Sequence, residues 1–287
     1  MKYPLHHVSL LTGDAAATVG FYTQQLGLRL VKQTVNQENW RMPHLFFGDA
    51  LGTPGSVVTF FVINHLGPRY DGTSYMDTLS LAIPTGSAAF WQQRLGGLTV
   101  QDPNGVTVTL VETPALSQAP VQNDIPAADQ ICGLAGSALR VPNPSATRQF
   151  FAQLLALPAF DGDLWLSPAT ITITPSQAQT KHRFGRGSID HIALTVTDAN
   201  QLTLLADRTD AAGGQIEKRA DRGWFESLYV KEPGGNRIEF ATTAPGFTLD
   251  EAAATLGTTL GLPPFLEPHR AEIAVGVPQL PLQAVPA

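Results

Sequence analysis

A short pattern occurs twice in this 287-residue chain, once near its start and once in its last third. Residues 6–14 and 190–198 each place a histidine at the head of an apolar, strand-like run and end that run with an aspartate suited to cap a helix. The same interval separates the histidine, His7 or His191, from the aspartate in both copies. The repeat predicts a fold in which strand–helix–strand units recur and two first strands carry equivalent histidines.

Four such units, numbered one to four in chain order, are predicted from strand-like runs, helix starts and turn signals. They cover residues 5–63, 78–111, 137–174 and 189–242. Repeated units of this kind predict an α+β fold of curled, mixed or mostly antiparallel sheets flanked by helices. The Pro- and Ala-rich stretch after the second unit is the best boundary, and the expected division is 1–116, 130–245 and a C-terminal tail over 246–287.

Composition excludes several classes of function. Charged residues make up only 15% of the chain, the formal net charge is −6, and no Lys/Arg run supplies a basic face for nucleic acid. No apolar run approaches the ~20 residues of a membrane span. Cys132 is the only cysteine, so it predicts a small core residue and no intrachain disulfide. Residues 1–4 lead directly into a strand without a leader pattern, which favours a cytoplasmic protein.

Two histidines and one carboxylate form the candidate metal site. If the units are pseudosymmetric, His7 and His191 lie on the same kind of strand face. Glu239 lies in the middle of a later strand of the fourth unit. Two histidines and a carboxylate with open positions are the ligand set of non-haem Fe(II) oxygenases, and Mn(II) fits the same set.

The neighbouring residues indicate one metal site. Thr59 and Thr109 occupy the positions that match Glu239 in the first two units, so neither unit supplies a second carboxylate. His6 and His7 point to opposite faces of a regular strand, and the shared offset selects His7 as the ligand. His6 then either lines the site from a distorted strand or faces away from it.

To share one metal, the first unit must lie against the fourth. Units one and four are therefore expected to form a metal-bearing barrel, and units two and three a metal-free barrel. Tyr229 and Glu239 could face each other on neighbouring antiparallel strands, and Arg222 lies in the polar segment just before. Arg222 could hold an anionic oxygen and Tyr229 could exchange a proton at the open metal positions. His44 is expected to be an ordinary hydrogen-bonded strand residue.

With these residues in place, the chain resembles the vicinal-oxygen-chelate superfamily of glyoxalases, bleomycin-resistance proteins and extradiol dioxygenases. It is most similar to the hydroquinone-type ring-cleaving dioxygenases. The segments that carry the resemblance are 21–36, 44–49, 232–235, 238–242 and 262–267. The resemblance implies four βαβββ units in two vicinal-oxygen-chelate domains, with Fe(II) held by His7, His191 and Glu239.

The resemblance also implies which residues meet the substrate. Positions matching His6, Ser9, Arg222 and Tyr229 line the substrate pocket in hydroquinone-cleaving relatives. Asp190 stands where such relatives can carry a second histidine, and this departure bears on the identity of the substrate.

The expected function is that of an Fe(II)-dependent extradiol-type dioxygenase. Its expected partners are a small aromatic diol and O2, with no nucleic acid and no membrane, and a homo-oligomer is compatible with the sequence. One alternative is a glyoxalase-class isomerase or thiol transferase, which Thr59 and Thr109 disfavour. The other is a non-catalytic protein that binds a small molecule in the same cup.

Overall fold

Two β-sheets form the framework of the protein, which the computed structural model describes over residues 3–114 and 119–277. The strands are β1 (Leu5–Thr12), β2 (Arg29–Asn36), β3 (Asn39–Gly48), β4 (Val57–Val62), β5 (Tyr75–Pro84), β6 (Thr99–Gln101), β7 (Thr107–Thr113), β8 (Gly133–Val141), β9 (Leu164–Trp165), β10 (Thr170–Pro175), β11 (Ile189–Val196), β12 (Gln215–Asp221), β13 (Glu226–Lys231) and β14 (Arg237–Thr242). The helices are α1 (Ala15–Val19), α2 (Ala88–Leu95), α3 (Pro144–Leu154), α4 (Ala199–Thr209) and α5 (Arg270–Gly276).

The first and last units share one sheet. Its strand order is β12-β13-β14-β11-β1-β4-β3-β2, and β1 pairs antiparallel with β11 at its centre. The second sheet, β6-β7-β5-β8-β10-β9, joins units two and three. The predicted partnership of units is therefore confirmed. Among the described strands both sheets stay open at their edges, so the expected closed barrels are not formed by strand pairing.

Two aspartates begin the helices that follow the repeated strands, as predicted. Asp14 accepts a hydrogen bond from the Ala17 amide, and Asp198 accepts from two amides at the start of α4. The helix that follows β1 is divided, because α1 passes into a π-helical turn over Gly20–Gln25. The wider turn ends where the Leu26 amide donates to the Phe21 carbonyl.

A continuous apolar core lies between the sheets and their helices. Cys132 is buried, as predicted. Within the described parts of the chain, no helix has the length and apolar character needed to cross a membrane. The division into 1–116, 130–245 and 246–287 stays a prediction, and its first limit and the positions 278–287 lie outside the described residues.

The C-terminal segment lies along the edge strand β2. The Gly261 amide donates to the Gln33 carbonyl, and the Gln33 side chain donates to the Gly257 carbonyl. The fully buried Lys32 ammonium forms ion pairs with Asp250 at 2.7 Å and Glu251 at 2.5 Å. The segment therefore satisfies an edge that would otherwise present unpaired backbone groups.

Candidate metal centre

Three side-chain atoms from His7, His191 and Glu239 converge at one buried point. The two Nε2 atoms lie 3.2 Å apart, and Glu239 Oε2 lies 3.1 Å from His7 Nε2 and 2.8 Å from His191 Nε2. Bonds of about 2 Å to a shared ion bring ligand atoms to separations of this order. Within the described residues, these three are the group of His, Cys, Asp and Glu side chains that could hold a metal ion.

Strand register explains why residues so distant in sequence meet. His7 lies on β1 and His191 on β11, the antiparallel pair at the centre of the larger sheet. Glu239 lies on β14, which runs parallel to β11 and pairs Glu239 with Ala193, two residues beyond His191. Side chains two apart on a strand share a face, so all three reach the same side of a rigid sheet.

The Glu239 carboxylate fits a metal ligand. Its Oε1 accepts a 2.5 Å hydrogen bond from Ser227, whereas its Oε2 is buried, makes no hydrogen bond and faces both imidazoles. Burial raises the pKa of this carboxyl, but His7 and His191 outweigh it and hold the pKa well below the usual range. A buried carboxylate oxygen without a hydrogen bond, beside two imidazole nitrogens, suits a divalent cation.

Asp190 orients His191. Asp190 accepts a 2.7 Å hydrogen bond from His191 Nδ1, which directs His191 Nε2 at the site. Burial raises the pKa of Asp190, but His191 and Arg237 lower it to about 2. Burial lowers the pKa of His191, but Glu239 and Asp190 together raise it. A divalent cation bound by this candidate site would therefore compete with a proton for His191 Nε2.

His6 orients His7 from behind. His6 Nε2 lies 3.1 Å from the Thr242 carbonyl, which can only accept, so this nitrogen carries the proton. Burial and the neighbouring His7 lower the pKa of His6 to about 3, so His6 is neutral and its Nδ1 accepts from His7 Nδ1 at 2.9 Å. His7 Nε2 is then left with its lone pair towards the site. A register shift in β1 between Leu5 and His7 permits this contact, and His6 does not line the cavity itself.

Arg222 and Tyr229 meet in the lining of the cavity that also contains His7 and His191. Tyr229 pairs with Glu239 across β13 and β14, as predicted, and its hydroxyl accepts a 3.2 Å hydrogen bond from Arg222 Nε. Burial and the nearby Glu239 raise the pKa of Tyr229, so the phenol stays protonated. Burial lowers the pKa of Arg222, but Tyr229 and Glu239 raise it above its ordinary value. The pair thus offers a cation and a neutral proton donor.

A small cavity of about 40 Å³ opens from this centre. Its lining combines three histidines with one valine and with polar and aromatic side chains: His7, Ser9, Val35, Asn36, Gln37, His44, Phe46, Phe61, His191, Arg222, Trp224, Phe225 and Tyr229. Gln37 and Arg222, both in this lining, are joined by reciprocal hydrogen bonds, since Gln37 donates to the Arg222 carbonyl and accepts from its guanidinium.

His44 is one of several cavity residues that the sequence did not single out, and it is the one with a titratable ring. Its Nε2 lies 2.8 Å from Thr59 Oγ1, and its ring stacks on Phe61 with centroids 4.0 Å apart. It is hydrogen-bonded, as expected, but it also lines the cavity. Superposing the strands of unit one on those of unit four places His44 at the position of Ser227. This equivalence follows from the pairing of β3 with β4 and of β13 with β14, so the sequence alone carried no signal for it.

The chain belongs to the Glyoxalase/Bleomycin resistance protein/Dioxygenase superfamily. The sequence model of that family matches residues 4–60 and 84–240, which together form most of the chain. The match includes all three converging residues of the candidate metal centre. The superfamily resemblance seen in the sequence is therefore confirmed.

Individual relatives match nearly the whole chain. A Bacillus subtilis protein named "Putative ring-cleaving dioxygenase MhqA" is 32% identical, and the match covers 94% of this chain and 96% of the relative. The chlorohydroquinone/hydroquinone 1,2-dioxygenase of Sphingobium indicum is 27% identical over 94% of both chains. The crystal structure of a Bacillus subtilis protein titled "putative dioxygenase" superposes with a TM-score of 0.84 at 25% identity over 97% of both chains.

Proposed function

We propose that this protein is an Fe(II)-dependent dioxygenase of the extradiol type that cleaves a hydroquinone- or catechol-like aromatic ring with O2. The observation that carries the proposal is the convergence of His7, His191 and the hydrogen-bond-free Glu239 Oε2 on one buried point. The names of the full-length relatives support ring cleavage as the reaction. Iron held by the three residues would supply Lewis acidity and mediate electron transfer between the aromatic diol and O2.

The residues around the centre would prepare the ring. The aromatic walls Phe46, Phe61 and Trp224 exclude water and match a flat ring. The Arg222 guanidinium stabilises negative charge on a ring oxygen that loses its proton. Tyr229, kept neutral by burial, donates a hydrogen bond to an oxygen of the reacting ring and so stabilises the charge that develops there. His6 holds the His7 ring in the required tautomer and acts through it.

The proposal is tested by O2 consumption of anaerobically Fe(II)-loaded protein with hydroquinone, methylhydroquinone and catechol. We expect uptake stoichiometric with ring opening in the wild type and its loss in His191→Ala. His182→Ala is the matched control, because His182 stacks on Tyr75 outside the cavity and should leave uptake unchanged.

Other results would favour the alternatives. Isomerisation by Ni(II)- or Zn(II)-loaded protein without O2 uptake would support a glyoxalase-class enzyme. Undiminished binding of an aromatic ligand by His191→Ala, with no turnover in the wild type, would support a binding protein.

A further inference from the structure

One buried hydroxyl connects two polar side chains of the cavity wall. Thr59 Oγ1 lies 2.7 Å from Ser9 Oγ and 2.8 Å from His44 Nε2. Ser9 and His44 line the cavity, whereas Thr59 is fully buried behind them. Thr59 therefore fixes the positions of two hydrogen-bonding groups that face the cavity.

This contact has a counterpart at the metal centre. The His44–Thr59 hydrogen bond in unit one stands where the Ser227–Glu239 hydrogen bond stands in unit four. His44 lies two residues before Phe46, the strand partner of Thr59. Ser227 likewise lies two residues before Tyr229, the strand partner of Glu239. The two halves of the sheet thus present equivalent polar positions, one with a carboxylate and one with neutral groups.

The candidate metal centre and the Ser9–His44 pair lie at different positions along β1. Ser9 follows His7 by two residues on the same face, which separates them by about 7 Å along the strand. The aromatic side chains Phe46 and Phe61 flank His44, with ring centroids 4.2 Å and 4.0 Å from it. The cavity therefore offers an apolar wall with a polar group at either end.

We propose, on the basis of the function proposed above, that His44 and Ser9 bind the second oxygen of a para-diol whose first oxygen lies among His7, His191 and Glu239. Thr59 positions both groups. An ortho-diol carries its second oxygen next to the first and does not reach this end of the cavity. His44 and Ser9 therefore select hydroquinone-class rings over catechols.

The chemistry of the two groups suits a phenolic hydroxyl. Burial, together with the nearby His191, holds the pKa of His44 well below its ordinary value, so the imidazole is neutral. A neutral imidazole and an alcohol both donate and accept hydrogen bonds, as a phenol does. His44 therefore contributes hydrogen bonding and no charge to this end of the cavity.

The test compares the affinities of hydroquinone and phenol, which differ only in the second oxygen. His44→Phe retains a ring that can stack on Phe61 but removes both nitrogens. By anaerobic calorimetry of the Fe(II)-loaded protein, we expect hydroquinone affinity to fall about tenfold and phenol affinity to change less than about twofold. His182→Phe, a substitution of the same kind outside the cavity, should change neither affinity.

A second variant tests the role of Thr59. Thr59→Val leaves His44 and Ser9 in place but removes their shared partner, so we expect a smaller loss of hydroquinone affinity, about threefold. The double variant with His44→Phe should lose less affinity than the two single losses combined, because Thr59 acts in part through His44. Equal weakening of phenol and hydroquinone, or no change in either, would overturn the proposal.

The test of this inference can succeed or fail independently of the test of the proposed function. His44-dependent preference for hydroquinone in a protein that consumes no O2 would uphold this inference and overturn the dioxygenase. Ring opening with an undiminished preference for hydroquinone in His44→Phe would do the reverse.

Discussion

Thr59 holds in the first unit the strand position that Glu239 holds in the fourth. Thr59 pairs with Ser9, two residues beyond His7, and Glu239 pairs with Ala193, two residues beyond His191. The equivalence predicted from sequence is thus confirmed by strand register. A pseudosymmetric frame offers two similar positions, and only the one with a carboxylate has the charge that a divalent cation needs.

Metal binding should stabilise the fold through Glu239. At a free metal concentration about 100 times its Kd, Fe(II) or Mn(II) should raise the free energy of unfolding by about 2.7 kcal/mol in the wild type. Glu239→Gln should abolish most of this increase, because it replaces the charged ligand oxygen with a neutral amide. Urea titrations with and without metal measure this increase in the wild type and in Glu239→Gln. An undiminished increase in Glu239→Gln would contradict the ligand assignment.

Asp190 should determine how tightly His191 binds the metal. Asp190→Asn removes the charge that accepts from His191 Nδ1, and we expect metal affinity to fall about 10- to 100-fold in chelator competition. Arg237 keeps Glu217 as its partner in this variant. Glu217→Gln is the control, since it removes the other partner of Arg237 and should leave the affinity unchanged. Similar losses in both variants would indicate a general effect of the ion-pair network.

Tyr229 should act in turnover and not in metal binding. Tyr229→Phe keeps the ring packed 5.5 Å from His191 but removes the proton donor. We expect kcat to fall about 100-fold while the bound metal remains stoichiometric. Steady-state kinetics and metal analysis test this, with Tyr75→Phe as a control outside the cavity. Loss of metal, or an unchanged kcat, would remove Tyr229 from the proposed mechanism.

Lys32 should contribute to stability through its buried ion pairs. Lys32→Met leaves two largely buried carboxylates, Asp250 and Glu251, without their cation, and we expect the free energy of unfolding to fall by about 3 kcal/mol. Lys218→Met, which removes a solvent-exposed ion pair with Glu38, should cost less than about 1 kcal/mol. Urea denaturation compares them. Equal losses in the two variants would show that burial of the Lys32 ion pairs adds nothing to the free energy of unfolding.

Local patterns were enough to predict the frame of the site. The equal spacing of histidine and aspartate in the two repeats predicted equivalent first strands. The hydrogen bonds that Asp14 and Asp198 accept at the starts of α1 and α4 confirm their predicted role as helix caps. The shared face of His7 and His191 followed from the two-residue period of a strand. These features depend on neighbours in sequence or on a repeat, and both are visible in a single chain.

Features that depend on local irregularity or on distant contacts were not predictable. A regular strand places His6 and His7 on opposite faces, but the register shift in β1 brings their rings together. His44 seemed an ordinary strand residue because its role depends on Thr59, which reaches it only through the register of β3 and β4. Sheet closure was overestimated, because pairing of the edge strands depends on geometry accumulated over the whole sheet.

The order of the ligands along the chain has a consequence for biosynthesis. His7 leaves the ribosome more than two hundred residues before Glu239. Domains fold as units during synthesis, yet this sheet joins the first unit to the last and cannot be completed by a partial chain. Metal uptake at this site would therefore follow the synthesis of β14, and a chain released before β14 would carry two histidines without the carboxylate that completes the set.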